Sequence, residues 1–316
     1  MMTPKQYRLI NADCLEWLER CPTTYQGGEA WDTIFADPPD NIKLGYDEYS
    51  DDLPEDEYCA WLRRCLYTFI NTAKTVWFSF NVKWLKEVAG IVAEIVEHNA
   101  YFASAPITDP KKRLIKDRFY VQYFTFGQHQ HSDFGNNMRP CYRLRWSHAP
   151  IFPDSIRVES KRQRLGDKRA DPRGRVPGDV SRLEVDSSDG LAALADAGQD
   201  CVFDWPRVVG NSKQRRKWHR TQLHEGFVRQ CLRMSTPPGG NVLDPFGGTG
   251  TTLRVAIAEG FNCDTIEISG GYCAEIAAEN GLNQQRTIPL TWTRAMTGGL
   301  EEFPLLGGPQ DRRVKR

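Results

Sequence analysis

The sequence lacks the segments that would place it in or across a membrane. In 316 residues no apolar run approaches the roughly 18–20 residues of a membrane-spanning helix. The first residues, Met-Met-Thr-Pro-Lys-Gln-Tyr-Arg, have no apolar core of the kind a signal peptide requires. With 40% hydrophobic and 26% charged residues, the composition is that of a globular protein. We therefore predict no membrane partner.

The nine cysteines lack the spacing of a zinc cluster or a disulfide framework. No Cys-x2-Cys pair occurs, which indicates reduced thiols and predicts a cytoplasmic protein. The motif His129-Gln-His131 has a spacing found in metal sites, but without a nearby third ligand it is more often a polar turn. We predict no metal.

The chain has no net charge, which by itself argues against a nucleic-acid partner. The 41 Lys and Arg residues equal the 41 Asp and Glu residues in number. Their distribution is uneven, because residues 111–220 hold 23 basic against 13 acidic side chains and the remainder holds 18 against 28. A basic middle in an acidic frame fits a polyanion-binding surface, although a set of solvated loops would give the same count.

One glycine-rich stretch has the pattern of a ligand-binding turn. The segment Asn241-Val-Leu-Asp-Pro-Phe-Gly-Gly-Thr-Gly-Thr-Thr252 predicts a strand, a tight turn and the start of a helix, a geometry that brings backbone N–H groups close to a ligand. No lysine follows Gly250, so the stretch is not a nucleoside-triphosphate loop. Leu253 stands where the dinucleotide fingerprint has its third small residue.

An acid on the next strand favours a nucleoside. Glu267 ends the apolar run from Cys263 and lies 17 residues after Gly250, near the spacing of about 20 at which an acid holds a ribose. An ordinary strand–helix turn is the alternative. We interpret the loop as the binding site of a nucleoside-containing cofactor.

A second motif, Asp37-Pro-Pro-Asp40, follows the apolar strand Trp31–Ala36. Open parallel sheets place their active sites at such strand ends. The two prolines remove N–H donors, so the local backbone offers only carbonyl acceptors. With a carboxylate, the turn can hold a group with two N–H donors, such as the exocyclic amine of a base. A rigid turn without chemistry is the alternative.

Strands alternate with helices of a dozen or more residues through the chain, which predicts an α/β fold with a largely parallel, Rossmann-like sheet covered on both faces. The strands at Phe119–Phe126 and Cys141–Trp146 lie closer together and predict an antiparallel hairpin at one edge. After residue 153 the organisation loosens.

The two motifs together resemble the amino-methylating DNA methyltransferases, which act on adenine N6 or cytosine N4. The turn precedes the glycine loop by 207 residues, an order similar to the circularly permuted group labelled beta. Ile10–Glu16, Trp218–Leu223 and Ile266–Tyr272 are similar to three further motifs of that group. The resemblance covers residues 7–150 and 202–280.

The resemblance implies S-adenosyl-L-methionine as the cofactor and double-stranded DNA as the partner. Asp37, Pro38, Pro39 and Asp40 would form the catalytic turn, in which Asp37 and the Pro38 carbonyl accept hydrogen bonds from the target amine. The residues implied at the cofactor are Asp13, Cys14, Asp37, Thr221, Gln222, Asp244, Pro245, Phe246, Gly248, Thr249, Gly250, Thr251 and Glu267.

The catalytic turn lacks the aromatic residue that the family has at its fourth position. A target base must be flipped out of the duplex and held by stacking, and Asp40 cannot stack. Tyr46 is the first candidate for the missing ring, because it follows on the same loop, and Tyr49 and Phe80 are the others. The segment after Trp218 likewise lacks the proline and the Lys-Pro end of the family's motif.

The resemblance divides the chain into a catalytic half (1–152), a basic target-recognition insertion (153–205), a cofactor-binding half (206–283) and a peripheral tail (284–316). Within the insertion, Arg162–Arg175 could contact phosphates. We expect methylation of a base amine with adenine N6 favoured, and a homodimer and a cognate restriction endonuclease are candidate partners. The alternatives are a cytosine N4, RNA or modified-base methyltransferase, and a DNA-binding protein with a degenerate site.

Overall fold

The computed structural model is an α/β structure in nine strands and seven helices among its described residues. The described residues are 6–20, 30–45, 49–97, 114–123, 137–176, 207–210, 212–285 and 291–293. The strands are β1 (Tyr7–Asn11), β2 (Trp31–Ala36), β3 (Ala73–Ser79), β4 (Ile115–Tyr123), β5 (Met138–Trp146), β6 (Asn241–Asp244), β7 (Asn262–Glu267), β8 (Asn283–Gln285) and β9 (Thr291–Thr293). The helices are α1 (Cys14–Arg20), α2 (Glu55–Thr72), α3 (Leu85–Glu97), α4 (Lys161–Arg164), α5 (Glu225–Ser235), α6 (Thr251–Glu259) and α7 (Gly270–Asn280).

The strands form one sheet in the order β4-β5-β3-β2-β6-β7-β1-β9-β8. The five central strands, from β3 to β1, are parallel, which confirms the predicted Rossmann-like α/β class. At one edge β4 and β5 pair antiparallel, as the short spacing between them predicted. None of the helices in the described ranges is long and apolar enough to cross a bilayer.

The sheet is buried on both faces, as the alternation along β2 shows. Ile34 packs into the core on the side of α2, together with Leu62, and neighbouring Phe35 packs into the core on the other side, against Phe227 of α5. Both strand residues are at most 1% exposed. A strand covered by helices on both sides has to be apolar at successive positions, which explains the continuous run Ile34–Ala36.

The permuted sequence order places the two motifs on neighbouring strands. β2 pairs with β6 in parallel, with Thr33 opposite Val242 and Ile34 opposite Leu243. The catalytic turn and the glycine loop therefore leave the sheet at the same edge, at the carboxyl ends of adjacent strands. The catalytic turn and the glycine loop, which lie 207 residues apart in sequence, are thus neighbours in the fold.

Part of the predicted peripheral tail belongs to the sheet. Gln284 and Gln285 lie in β8, and Thr291–Thr293 form β9, which pairs antiparallel with β1 through Leu9 and Trp292. The prolines, glycines and basic end of this stretch predict a tail, and two strands of only three residues are too short to show a periodic pattern. These strands cover the edge that β1 would otherwise present.

Candidate active site

The glycine loop is built for close packing against β7. The amide of Gly247 donates to the Ile266 carbonyl at 2.8 Å, and a Cβ at Gly247 would lie 2.8 Å from Thr265 Cγ2. Gly250 has φ 72° and caps the N-terminus of α6, where a Cβ would lie 2.9 Å from Ile276 Cγ2. Glycine is required at both positions for these physical reasons.

A cavity of about 420 Å³ opens where the two motifs meet. All of the predicted catalytic and cofactor-binding residues line this cavity except Gly250. Gly250 is the N-terminal cap of α6 and lies beneath the loop, where it does not face the cavity. The sequence therefore identified the residues around one cavity from motifs that lie far apart in the chain.

Glu267 connects the glycine loop to the segment after β7. Its Oε2 accepts from the Gly248 amide at 2.7 Å, and its Oε1 accepts from the Ser269 amide at 2.9 Å. The side chain lines the cavity although the residue is only 8% exposed. A carboxylate fixed by two amides presents its remaining lone pairs in a defined direction, as a ribose-binding acid must.

Asp244 is a buried carboxyl at the end of β6. Burial raises its pKa to about 8, although a hydrogen bond from the Thr252 side chain and another from the Phe246 amide lower it in part. The Phe246 amide donates to Asp244 Oδ1 at 3.0 Å. The carboxyl is therefore largely protonated at neutral pH, and a positively charged group in the cavity would favour its ionised form.

The catalytic turn is fixed from behind by two aromatic side chains. The Tyr58 hydroxyl donates to the Pro39 carbonyl at 2.5 Å, and Trp84 Nε1 donates to the Asp40 carbonyl at 2.7 Å. Within the described ranges no donor is bonded to the Pro38 carbonyl. The turn thus keeps one carbonyl available beside Asp37, which a two-donor amine requires.

Arg139 joins the two carboxylates of the turn, a contact that the sequence reading missed. Its Nε and Nη2 donate to Asp37 Oδ1 at 3.0 and 2.5 Å, and its Nη1 and Nη2 donate to Asp40 Oδ2 and Oδ1 at 3.2 and 3.0 Å. A further bond runs from Nε to Ser79 Oγ at 2.8 Å. Two adjacent carboxylates at a strand end require a cation, but nothing in the sequence indicates that it comes from β5.

The charge on Asp37 results from opposing effects. Burial raises the pKa of its carboxyl, the Arg139 guanidinium lowers it, and the neighbouring Asp40 carboxylate raises it again. Burial outweighs the pairing, so the pKa lies above its ordinary value. Both Arg139 bonds to Asp37 end on Oδ1, and neither of them occupies Oδ2.

The three candidates for base stacking lie in different places. Tyr46 is outside the described residues, as are His129 and His131. Tyr49 lines the cavity, with its ring 6.4 Å from that of Trp61. Phe80 does not line the cavity; it is 1% exposed and stacks on Tyr142 at 6.1 Å.

The residues around Thr221 and Gln222 form a second wall of the cavity. Gln222 accepts from the Arg216 amide at 2.9 Å and donates to the Gln214 carbonyl at 2.6 Å, so its side chain holds the loop together. His219, which the sequence reading did not select, is 8% exposed and packs edge-on to Tyr272 at 4.8 Å.

The acidic residues after the catalytic turn, Asp47, Glu48, Asp51 and Asp52, predict a solvated loop, but Asp51 instead organises the backbone of this loop. Its carboxylate is buried and accepts from the amides of Asn41, Ile42 and Leu44 at 2.7, 3.0 and 2.9 Å. The expectation was wrong for this residue, because acidic composition does not reveal which acid the backbone surrounds.

We expect Asp51→Asn to lower the free energy of unfolding by about 2 kcal/mol, because an amide replaces one acceptor oxygen with a donor that faces backbone N–H groups. Urea unfolding followed by fluorescence measures the change. Asp52→Asn is the matched control, since the Asp52 side chain is 58% exposed and should change stability by less than about 0.5 kcal/mol. Equal losses in the two variants would contradict the buried role of Asp51.

The described part of the basic insertion pairs many of its own charges. Arg169 forms an ion pair with Asp167, two residues earlier, and Arg173 forms the same pair with Asp171, each at 2.9–3.0 Å. Hydrogen bonding to the arginines lowers the pKa of both aspartates. The excess of basic residues in Arg162–Arg175 therefore overstates the positive charge that is available to phosphates.

Comparison with known proteins gives one family over most of the chain. A family model described as DNA methylase, for the N6 and N4 enzymes, matches residues 31–279. The chain is 27% identical over 268 residues to DNA adenine methyltransferase YhdJ of Escherichia coli (strain K12), covering 84% of this chain and 79% of that protein. It is also 27% identical to the type II methyltransferase M.BamHI of Bacillus amyloliquefaciens, covering 79% of this chain but only 51% of that enzyme.

Solved structures share the fold at low identity. The M1.HpyAVI–SAM complex superposes with a TM-score of 0.50 at 15% identity, covering 87% of this chain and 98% of that one. The PvuII DNA methyltransferase, described as cytosine-N4-specific, gives 0.51 at 15% identity, with coverages of 85% and 84%.

Proposed function

Because this chain belongs to the N6/N4 DNA methylase family, we propose that it transfers a methyl group from S-adenosyl-L-methionine to the exocyclic amine of a DNA base, with adenine N6 favoured. The observation that carries the proposal is the single cavity shared by the glycine loop and the Asp37 turn. The relative YhdJ, named as an adenine methyltransferase, supports adenine over cytosine.

The cavity fits the chemistry of this cofactor. Glu267 offers carboxylate lone pairs to a ribose hydroxyl pair. The turn at Gly248 lets the backbone come close to the cofactor. Asp244 is a buried acid whose ionised form a cationic methionine end would favour. Asp13 and Cys14 line the part of the cavity that the resemblance implies for the adenine ring of the cofactor. When bound, the cofactor supplies an already activated methyl group.

The turn supplies the geometry for a two-donor amine. Asp37 is anchored by Arg139 through Oδ1, so Oδ2 can accept one N–H of the amine while the Pro38 carbonyl accepts the other. These two bonds orient the nitrogen lone pair toward the methyl group. They also stabilise the positive charge that develops on the nitrogen during transfer. Tyr58 and Trp84 keep the turn in this shape.

Incubation with tritiated S-adenosylmethionine and a panel of nucleic acids tests the proposal. We expect label in double-stranded DNA that carries no prior methylation. Label in RNA alone would favour the RNA alternative. Cofactor binding without transfer to any nucleic acid would favour the degenerate DNA-binding protein and would contradict the proposed activity.

Several finer assignments stay predictions. Residues 153–205 are proposed as the target-recognition insertion, between the catalytic half and the cofactor-binding half. The similarity to M.BamHI supports a restriction endonuclease as a functional partner, which co-occurrence of the two genes would test. A homodimer and a cytoplasmic location also stay predictions, and sedimentation of the purified protein tests the first.

A further inference from the structure

The pocket beside Asp37 requires a flat surface, an inference that rests on the proposed function. A base inside a duplex has to leave the stack before its amine can react, and a flipped base is then held between flat or apolar side chains. Asp40 follows the two prolines, and a carboxylate offers no such face. Among the described residues, the candidates are the aromatic and planar side chains near Asp37.

The accessible aromatic rings of the cavity lie with the cofactor-binding residues. Tyr49 lines the same cavity as Asp13 and Cys14, the residues implied at the cofactor. Tyr49 lies 6.4 Å from Trp61, which lies 5.6 Å from Phe246 of the glycine loop. These rings therefore form one cluster with Phe246 of the glycine loop, and Trp61 extends it to Tyr58 at 5.7 Å.

The rings closer to Asp40 are enclosed in the core. Tyr58 and Phe80 are each 1% exposed, and neither lines the cavity. The Tyr58 hydroxyl donates its hydrogen bond to the Pro39 carbonyl. These two rings support the turn from behind, and a base in the cavity could not lie against them.

Arg139 has a planar guanidinium that lines the cavity next to Asp37. Its side chain is 14% exposed, and five hydrogen bonds to Asp37, Asp40 and Ser79 hold the guanidinium in one orientation. Since these bonds occupy the edge of the plane, the part left for a ligand is its face. Guanidinium faces stack on bases and aromatic rings.

Stability alone does not account for this arrangement. Taking two carboxylates and a guanidinium out of water is unfavourable, and apolar residues of similar volume often give a more stable fold. The three charged groups are 11–26% exposed in their side chains and converge at the edge of the sheet where the cavity opens.

We propose that Arg139 contacts the substrate: its guanidinium, held flat between Asp37 and Asp40, is the surface on which the flipped target base lies. Asp40 then occupies the fourth position of the turn in order to hold this guanidinium. The pair replaces a single aromatic side chain.

Arg139→Lys tests this role, because lysine keeps the charge but has no planar face. The probe is double-stranded DNA without prior methylation, with tritiated S-adenosylmethionine as the donor. We expect kcat/KM for DNA to fall by about 10- to 100-fold, the range expected for one stacked base, while affinity for S-adenosylhomocysteine stays within about threefold. Arg145→Lys is the matched control, since Arg145 lies on the same strand and bonds only to backbone carbonyls within the described contacts.

Two further variants keep the test decisive. Tyr46→Leu removes the competing ring and should lower kcat/KM less than Arg139→Lys does. Asp40→Asn, which weakens one anchor of the guanidinium, should lower kcat/KM about three- to tenfold. A large loss in Tyr46→Leu with near-normal Arg139→Lys would overturn the assignment. If Arg139→Lys does not fold, as melting would show, unchanged turnover in Asp40→Asn overturns it instead.

The outcomes separate this inference from the proposed function. If the unmodified protein transfers no label to DNA, the proposed function fails. If it transfers label and Arg139→Lys does so at a similar kcat/KM, the proposed function stands and the role of Arg139 as a base-stacking residue is wrong.

Discussion

Replacing Asp37 with asparagine should lower kcat for methyl transfer by about 100- to 1,000-fold, the loss expected when one preorganised group at the reacting centre is removed. Asparagine keeps the shape of the side chain but brings less negative charge to the nitrogen that becomes positive. The affinity for S-adenosylhomocysteine should change little, because the proposed cofactor contacts lie chiefly in the glycine loop and at Glu267, which line the cavity. Filter-binding kinetics with tritiated cofactor, combined with calorimetry, measure both quantities.

Asp32→Asn is the matched control for that variant. Asp32 lies on the same strand, β2, but it pairs with Lys74 at 2.7 Å and does not line the cavity. Its replacement should change stability more than turnover at saturating substrate. Retained turnover in Asp37→Asn would remove Asp37 from the mechanism.

Without cofactor, the Asp244→Asn variant should become more stable than the unmodified protein as the pH rises. The same variant should bind the cofactor more weakly. The folded pKa of Asp244 is raised to about 8 from 3.8. Such a group contributes stability that is complete below the unfolded pKa and is lost as the pH rises to the folded pKa. Between pH 4 and pH 8 the unmodified protein should therefore lose up to about 1.4 kcal/mol per pH unit relative to the variant.

Urea unfolding at pH 5, 6, 7 and 8 measures this difference, and calorimetry with S-adenosylhomocysteine measures the loss of affinity, which we expect to be about tenfold or more. Thr252→Val is a useful comparison, because it removes the hydrogen bond that lowers the pKa of Asp244 while the acid stays in place. A stability difference that does not vary with pH would show that Asp244 is not the titrating group.

The parts of the site that lie in strand-end motifs were predictable from sequence. Asp37 and Asp244 each follow an apolar run, and the carboxyl ends of parallel strands meet at one edge, so their proximity follows from the fold class alone. Glu267 was predictable for the same reason, since its spacing from Gly250 is set by one helix and one strand.

Other parts depend on packing that sequence patterns do not record. Arg139 lies 102 residues after Asp37 in the chain, and only the antiparallel pairing of β5 with β3 brings it to the turn. The sequence around Asp51 is as acidic as a solvated loop, and it does not show that three backbone amides donate to this carboxylate. The edge strands β8 and β9 are too short for a periodic pattern to appear.

Nucleoside analysis of treated DNA tests the central claim most directly. Unmethylated double-stranded DNA is incubated with the protein and S-adenosylmethionine, digested to nucleosides and separated by chromatography with mass detection. The account predicts a methylated nucleoside with the methyl group on an exocyclic amine, N6-methyldeoxyadenosine before N4-methyldeoxycytidine, and its absence from the Asp37→Asn reaction. Methylation at a ring carbon, or equal product from Asp37→Asn, would contradict it.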